Sequence, residues 1–86
     1  MNMENKTYAL ICVDEDRNIF SMTTSKDVDK LVAKMKSEYE SELSFFEKEG
    51  IEIRCSNFLN ERKMAYIHYG RHWSETWKIK EIANLD

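Results

Sequence analysis

Proline is absent from this 86-residue chain, and glycine occurs only twice, at Gly50 and Gly70. Two isolated glycines cannot form the phosphate-cradling loops of Walker or dinucleotide-binding type. With no proline and no Gly/Ser-rich run, nothing reads as a flexible linker, and residues 1–86 are expected to form a single domain. Cysteine is scarce: Cys12 and Cys55 lie far apart in strand-like stretches, without a CxxC pair. In a reducing compartment such residues read as small buried hydrophobes rather than a disulfide or a reactive thiol. No apolar run approaches the roughly 20 residues of a membrane span, and the opening MNMENK lacks signal-peptide and twin-arginine features. The expectation is a cytoplasmic protein without a membrane partner.

What remains is 42% hydrophobic and 34% charged, the composition of a foldable chain rather than a disordered one. The net charge of -3 lacks the basic footprint usual for general nucleic-acid binding. The acidity is unevenly placed. Residues 1–50 hold eleven of the sixteen acids and seven of the thirteen basic residues, so residues 51–86 are slightly basic.

Residues 6–13 and 18–24 alternate in the manner of a hairpin around the polar turn Asp14-Glu15-Asp16-Arg17. Pairing Val13 with Asn18 places Ala9, Ile11, Val13, Phe20 and Met22 on an inner face. Tyr8, Leu10, Cys12 and Ile19 then form an unusually apolar outer patch, of the kind that marks interfaces. A helix follows, with Thr24 or Ser25 as its cap and Gly50 as its stop. Val28, Leu31, Val32, Met35, Tyr39, Leu43 and Phe46 recur at three- and four-residue steps along about 24 residues. Three strands complete the chain, at residues 51–58, 64–69 and 75–82. Ile53 is set opposite Tyr69, Cys55 opposite Ile67, Ile67 opposite Trp77, and Ala65 opposite Ile79. The outer rows become Arg54–His68–Thr76, Ser56–Tyr66–Lys78 and Phe58–Met64–Lys80. The sum is an α+β two-layer sandwich, β-β-α-β-β-β, with one long helix on a mostly antiparallel five-stranded sheet.

Catalytic and metal chemistry find little support. His68 and His72 are four apart, but on a strand and a turn, where that spacing does not make a zinc pair. The register points Cys55 inward and His68 outward, which separates a Cys–His nucleophile pair. A two-layer domain this small leaves little room for a carboxylate-lined catalytic cleft. No enzymatic activity, metal or cofactor is expected.

Binding chemistry is better supported, in two places. The first is the segment MKSEYESELSFFEKEG, residues 35–50, with its adjacent phenylalanines. At about 100° per residue, Phe46 centres the apolar stripe and Phe45 falls outside it. Glu38, Glu42 and Glu49 lie along the same flank as Phe45. Phe45 either packs on a strand edge or belongs to an acidic-aromatic strip that docks on a basic surface. Trp73, in the turn after Gly70, either covers an open core edge or serves as an interface hot spot. The second place is the outer sheet face, where Arg54, Tyr66, His68, Arg71, Lys78 and Lys80 combine aromatic and basic groups as single-strand nucleic-acid binders do.

In size and acidity the chain is similar in general character to small single-domain proteins of phages and mobile elements, many of which inhibit a host-defence protein. No family motif carries that likeness. The reading is therefore a non-enzymatic protein-binding module, an inhibitor or adaptor, whose residues Glu38, Glu42, Phe45, Glu49 and Trp73 meet a partner with a basic surface. The alternative is a nucleic-acid-binding protein using the basic outer face. A symmetric homodimer through either the helix flank or the apolar sheet patch is the third possibility.

Overall fold

A computed structural model describes residues 6–82. Asp14 organises the first turn. Its Oδ1 accepts the backbone N–H of Asp16 at 2.9 Å and of Asn18 at 2.8 Å. Arg17 takes the left-handed conformation, φ 67°. The Asn18 N–H bond is the main reason the Asp14 carboxyl titrates below its ordinary value. From this turn β1 (Thr7–Asp14) and β2 (Ile19–Ser25) run antiparallel.

The helix α1 (Val28–Lys48) has 21 residues and starts later than the sequence suggests. Ser25 closes β2, and Asp27 is the N-cap, accepting the Asp29 N–H at 3.0 Å. Ser25 Oγ instead accepts the Asp27 N–H. An aspartate caps as well as a serine and adds negative charge at the positive helix end. Gly50 does stop the helix, at φ 72°. The Ile51 N–H reaches the Phe46 carbonyl and the Gly50 N–H that of Glu47, the paired bonds of a Schellman ending.

The chain continues through β3 (Ile53–Leu59), a 3₁₀ turn (Asn60–Arg62), β4 (Met64–Tyr69) and β5 (Trp73–Ile82). The sheet order is β2-β1-β5-β4-β3, with every neighbouring pair antiparallel. The expected α+β architecture, β-β-α-β-β-β with one helix on a five-stranded sheet, is what the structure shows. The first and last strands pair at its centre.

Four features of the strands differ from the sequence reading. The two faces of β1 are exchanged: Leu10 and Cys12 are buried in the core with Leu31, Met35, Tyr39, Phe46, Ala65, Ile67 and Trp77. Ile11 and Val13 face away from the helix, and Ile19, Phe20 and Met22 are 57–60% exposed. Both faces of β1 are apolar, so alternation alone cannot choose between them. Pairing with β5 decides, by setting Cys12 opposite Trp77 and Leu10 opposite Ile79. The proposed outer patch of Tyr8, Leu10, Cys12 and Ile19 therefore does not exist as a surface.

The other three concern the C-terminal strands. A register shift between Ile53 and Cys55 flips the rest of β3, because one extra residue reverses the alternation. Ser56 and Phe58 thus point under the helix near Tyr39, while Cys55 is exposed opposite His68. Cys55 and His68 consequently share a face, contrary to expectation. Between β4 and β5 the register lies two residues from the expected one, with Ala65 opposite Trp77 and Ile67 opposite Glu75. A two-residue slide preserves the face of every side chain, so Tyr66, His68, Lys78 and Lys80 stay on the outer side.

The exchanged faces of β1 give a direct check. Leu10→Ala should cost about 3 kcal/mol of unfolding free energy, as for a fully buried leucine. Ile11→Ala should cost about 1 kcal/mol or less. Chemical denaturation of the two variants measures both.

Candidate functional site

Two glutamates of the helix flank, Glu38 and Glu42, line a crevice between α1 and β2. Glu38 Oε1 accepts the indole N–H of Trp77 at 3.1 Å, and its Oε2 lies 3.1 Å from Lys34 Nζ. A charge-assisted bond to a core indole is worth about 1.5–3 kcal/mol and fixes the helix over β5. Glu38 is thus engaged internally rather than free for a partner. One turn further on is Glu42, and the crevice it lines, between α1 and the β2 side of the sheet, has a volume of about 430 Å3. Phe20, Ser21, Cys12, Glu75 and Trp77 complete its sheet wall, and Ser37 and Ser41 its helix wall.

Glu75 is the polar residue placed in the interior, 8% exposed. Burial, followed by a hydrogen bond and charge repulsion with Glu42, raises its pKa from 4.5 to about 8. The Cys12 thiol, buried beside the same acids, is pushed up to about 12, first by burial and then by Glu75, Glu38 and Glu42. A thiol held that high is protonated and inert as a nucleophile. Cys12 is singled out by the sequence only as part of an apolar outer patch, and Glu75 not at all, although a signal for it existed. In the strand 75–82, an inward Trp77 requires an inward Glu75.

Phe45 follows Glu42 by three residues on the same flank and is 50% exposed. Its ring begins an aromatic series at this end of the domain. Phe45 and Phe46 centroids are 5.9 Å apart, Phe46 and Tyr69 4.3 Å, and Tyr69 and Trp73 6.0 Å. Trp73, 49% exposed, is the first residue of β5 rather than part of the turn. Its indole lies over Gly70, where an added Cβ would sit 2.7 Å from Trp73 Cε3. Gly70 has φ +60° and donates its N–H to the Glu52 carbonyl. Arg54 holds the turn, its Nε donating to the Gly70 carbonyl at 2.9 Å and its Nη2 to that of Trp73 at 3.5 Å. Both outlying aromatics thus belong to one series, anchored on buried Phe46. Glu49 caps the helix at the same end and is exposed.

The residues proposed for nucleic acid divide. Tyr66 and His68 are in edge-to-face contact at 5.3 Å on the open side of the sheet. Lys78 and Lys80 share that side with Ile11, Val13, Met64 and Thr76, around a hollow of about 580 Å3. Arg54 is not part of that surface, since it clamps the β4–β5 turn, and Arg71 is exposed within the turn. Asp14 and Glu15 line the hollow too, diluting its positive charge. Among the described residues, no group of three or more His, Cys, Asp or Glu side chains could hold a metal ion, and no helix is long and apolar enough to cross a membrane. No protein-family model, curated protein or solved structure matches the chain.

The raised pKa of Glu75 makes stability depend on pH. Between about 4.5 and 8 the folded state holds a proton at Glu75 that the unfolded chain has released. Stability therefore falls as pH rises through that window. Glu75→Gln, which keeps the neutral shape, should flatten this slope and add about 2 kcal/mol at pH 8. Urea unfolding of both proteins at pH 5 and pH 8 is the measurement. Equal slopes with pH would show that Glu75 titrates normally.

Proposed function

We propose that this chain is a non-enzymatic protein-binding module, an inhibitor or adaptor, that docks the acidic-aromatic flank of α1 on a basic surface of a partner protein. The carrying observation is the aromatic series Phe45–Phe46–Tyr69–Trp73. Its two ends are half exposed, while its middle is tied to the core. Large aromatic rings held rigidly at a surface lose little entropy on binding and are the usual hot spots of interfaces. Around them Glu42, Glu49 and the carboxyl groups of the crevice supply negative charge. The docking contact in this reading comprises Phe45 and Trp73 as anchors with Glu42 and Glu49 as their charged rim. Glu38 acts behind them, through Trp77. The small acidic inhibitors of phages and mobile elements remain the general comparison for such a surface.

A second reading has an observation of its own. Tyr66, His68, Lys78 and Lys80 share an open sheet face, as stacking platforms for single-stranded nucleic acid require. A second copy of the chain is a third occupant, suggested by the edge strand β2. That strand bears no charge and leaves Ile19, Phe20 and Met22 exposed.

Substitution separates them. In affinity capture from nuclease-treated host lysate, Phe45→Asp and Trp73→Ala should each lower recovery of the partner at least tenfold, as loss of a hot spot does. Lys78→Glu combined with Lys80→Glu should leave recovery unchanged. The opposite pattern would move the function to the sheet face. A mass that rises with concentration and falls in Met22→Lys would assign the exposed edge to self-association.

A further inference from the structure

We infer that the crevice between α1 and β2 is a receptor for an arginine side chain of the partner protein, gripped by Glu42 and Glu75 with Phe20 at its rim. The inference rests on the protein-binding reading above and adds the chemistry of the group that enters.

Glu75 is more than nine-tenths buried and lines the crevice. The ionisable group beside it in the crevice is another acid, Glu42. Among the described residues no lysine, arginine or backbone N–H is bonded to the Glu75 carboxyl, and the one cation in the cluster, Lys34, pairs with Glu38. Two neighbouring carboxyl groups lining one narrow crevice without a cation beside them form a site short of one positive charge. The remaining wall fits a guanidinium rather than an ammonium. Ser21, Ser37 and Ser41 offer further acceptors around the carboxylates, and a guanidinium carries five donors in a planar fork against three on an ammonium. Phe20, 57% exposed, presents an aromatic ring on which that plane can stack. The volume of about 430 Å3 leaves room for the aliphatic stem as well.

Entry of the cation displaces the proton of Glu75 to solvent, so the grip tightens as pH rises. The titratable groups around Glu75 are Glu42 and, in the same crevice, Glu38 from α1, Cys12 and the register partner Asp14 from β1, and Tyr69 from β4; Glu42 opposes its ionisation, and the Cys12 and Tyr69 side chains, both pushed up by burial, are neutral in this range. The residues of β2 at the crevice, Phe20 and Ser21, do not titrate in this range.

The test uses the whole chain and N-acetyl-arginine amide as the probe, read at the Trp77 indole N–H by NMR. A saturable shift is expected, about tenfold weaker in Glu42→Gln and in Glu75→Gln, the loss of one charged hydrogen bond. Lys80→Glu, on the opposite face, should bind as the parent does. Glu42→Gln keeps the test sound if the interior Glu75→Gln variant fails to fold. No saturable shift, or equal affinity in Glu42→Gln, would overturn the inference; equal binding of N-acetyl-lysine amide would overturn its guanidinium specificity. A negative result here, alongside loss of partner capture in Phe45→Asp, would remove the arginine receptor and leave the docking surface standing.

Discussion

A single helix has to cover a sheet of five strands, and the remaining features follow from how incompletely it can do so. At about 4.8 Å between neighbours, five strands span roughly 19 Å between their outer axes. An α-helix with its side chains is about 10 Å wide. The helix α1 is seated over the middle by Trp77, whose indole N–H binds Glu38. Beneath it Leu31, Met35, Tyr39 and Phe46 close over Ala65, Ile67 and Trp77. What it fails to reach is the margin. On the β2 side this leaves the exposed strand and the crevice, and at its C-terminal end it leaves Phe45 and Trp73.

That geometry also explains the odd electrostatics. Position 75 lies inward on β5, the central strand, two residues from Trp77, where burial makes an ionised acid costly. The crevice that opens from it toward β2 also brings Glu42 close, so the carboxyl keeps its proton up to about pH 8. A perturbed carboxyl in a cleft is a common mark of a working site, because a fold gains nothing from keeping it for stability alone. Lys34, which could have neutralised the cluster, pairs with Glu38, and among the described residues no other cation is paired with Glu42 or Glu75.

Element order and core helix were legible because both rest on periodicity. The stripe from Val28 to Phe46 matches only one face of a helix, and Gly50 matches only one kind of ending. The orientation of β1 was not legible, since Tyr8, Leu10 and Cys12 alternate with Ala9, Ile11 and Val13 and either set can serve as core. The choice belongs to β5, nearly 70 residues away, which cannot be paired with β1 on local pattern. The bulge that turns Cys55 outward and Phe58 inward has the same character. A one-residue shift leaves no local mark in a strand as mixed as IRCSNFL. For the candidate site, the exposed flank was read from the helical wheel, whereas the crevice was not, because its sheet wall depends on the long-range pairing of β1 with β5.

Side-chain footprinting of the chain with its captured partner is the most direct measurement of whether this margin is the working surface. Hydroxyl-radical labelling reads Phe20, Phe45 and Trp73 on the helix side and Met64 and Tyr66 on the open sheet face in one experiment. Protection of Phe45 and Trp73, with Met64 and Tyr66 labelled as in the free protein, is the result expected. Protection confined to Met64 and Tyr66 would contradict the account and place function on the face that the helix leaves bare.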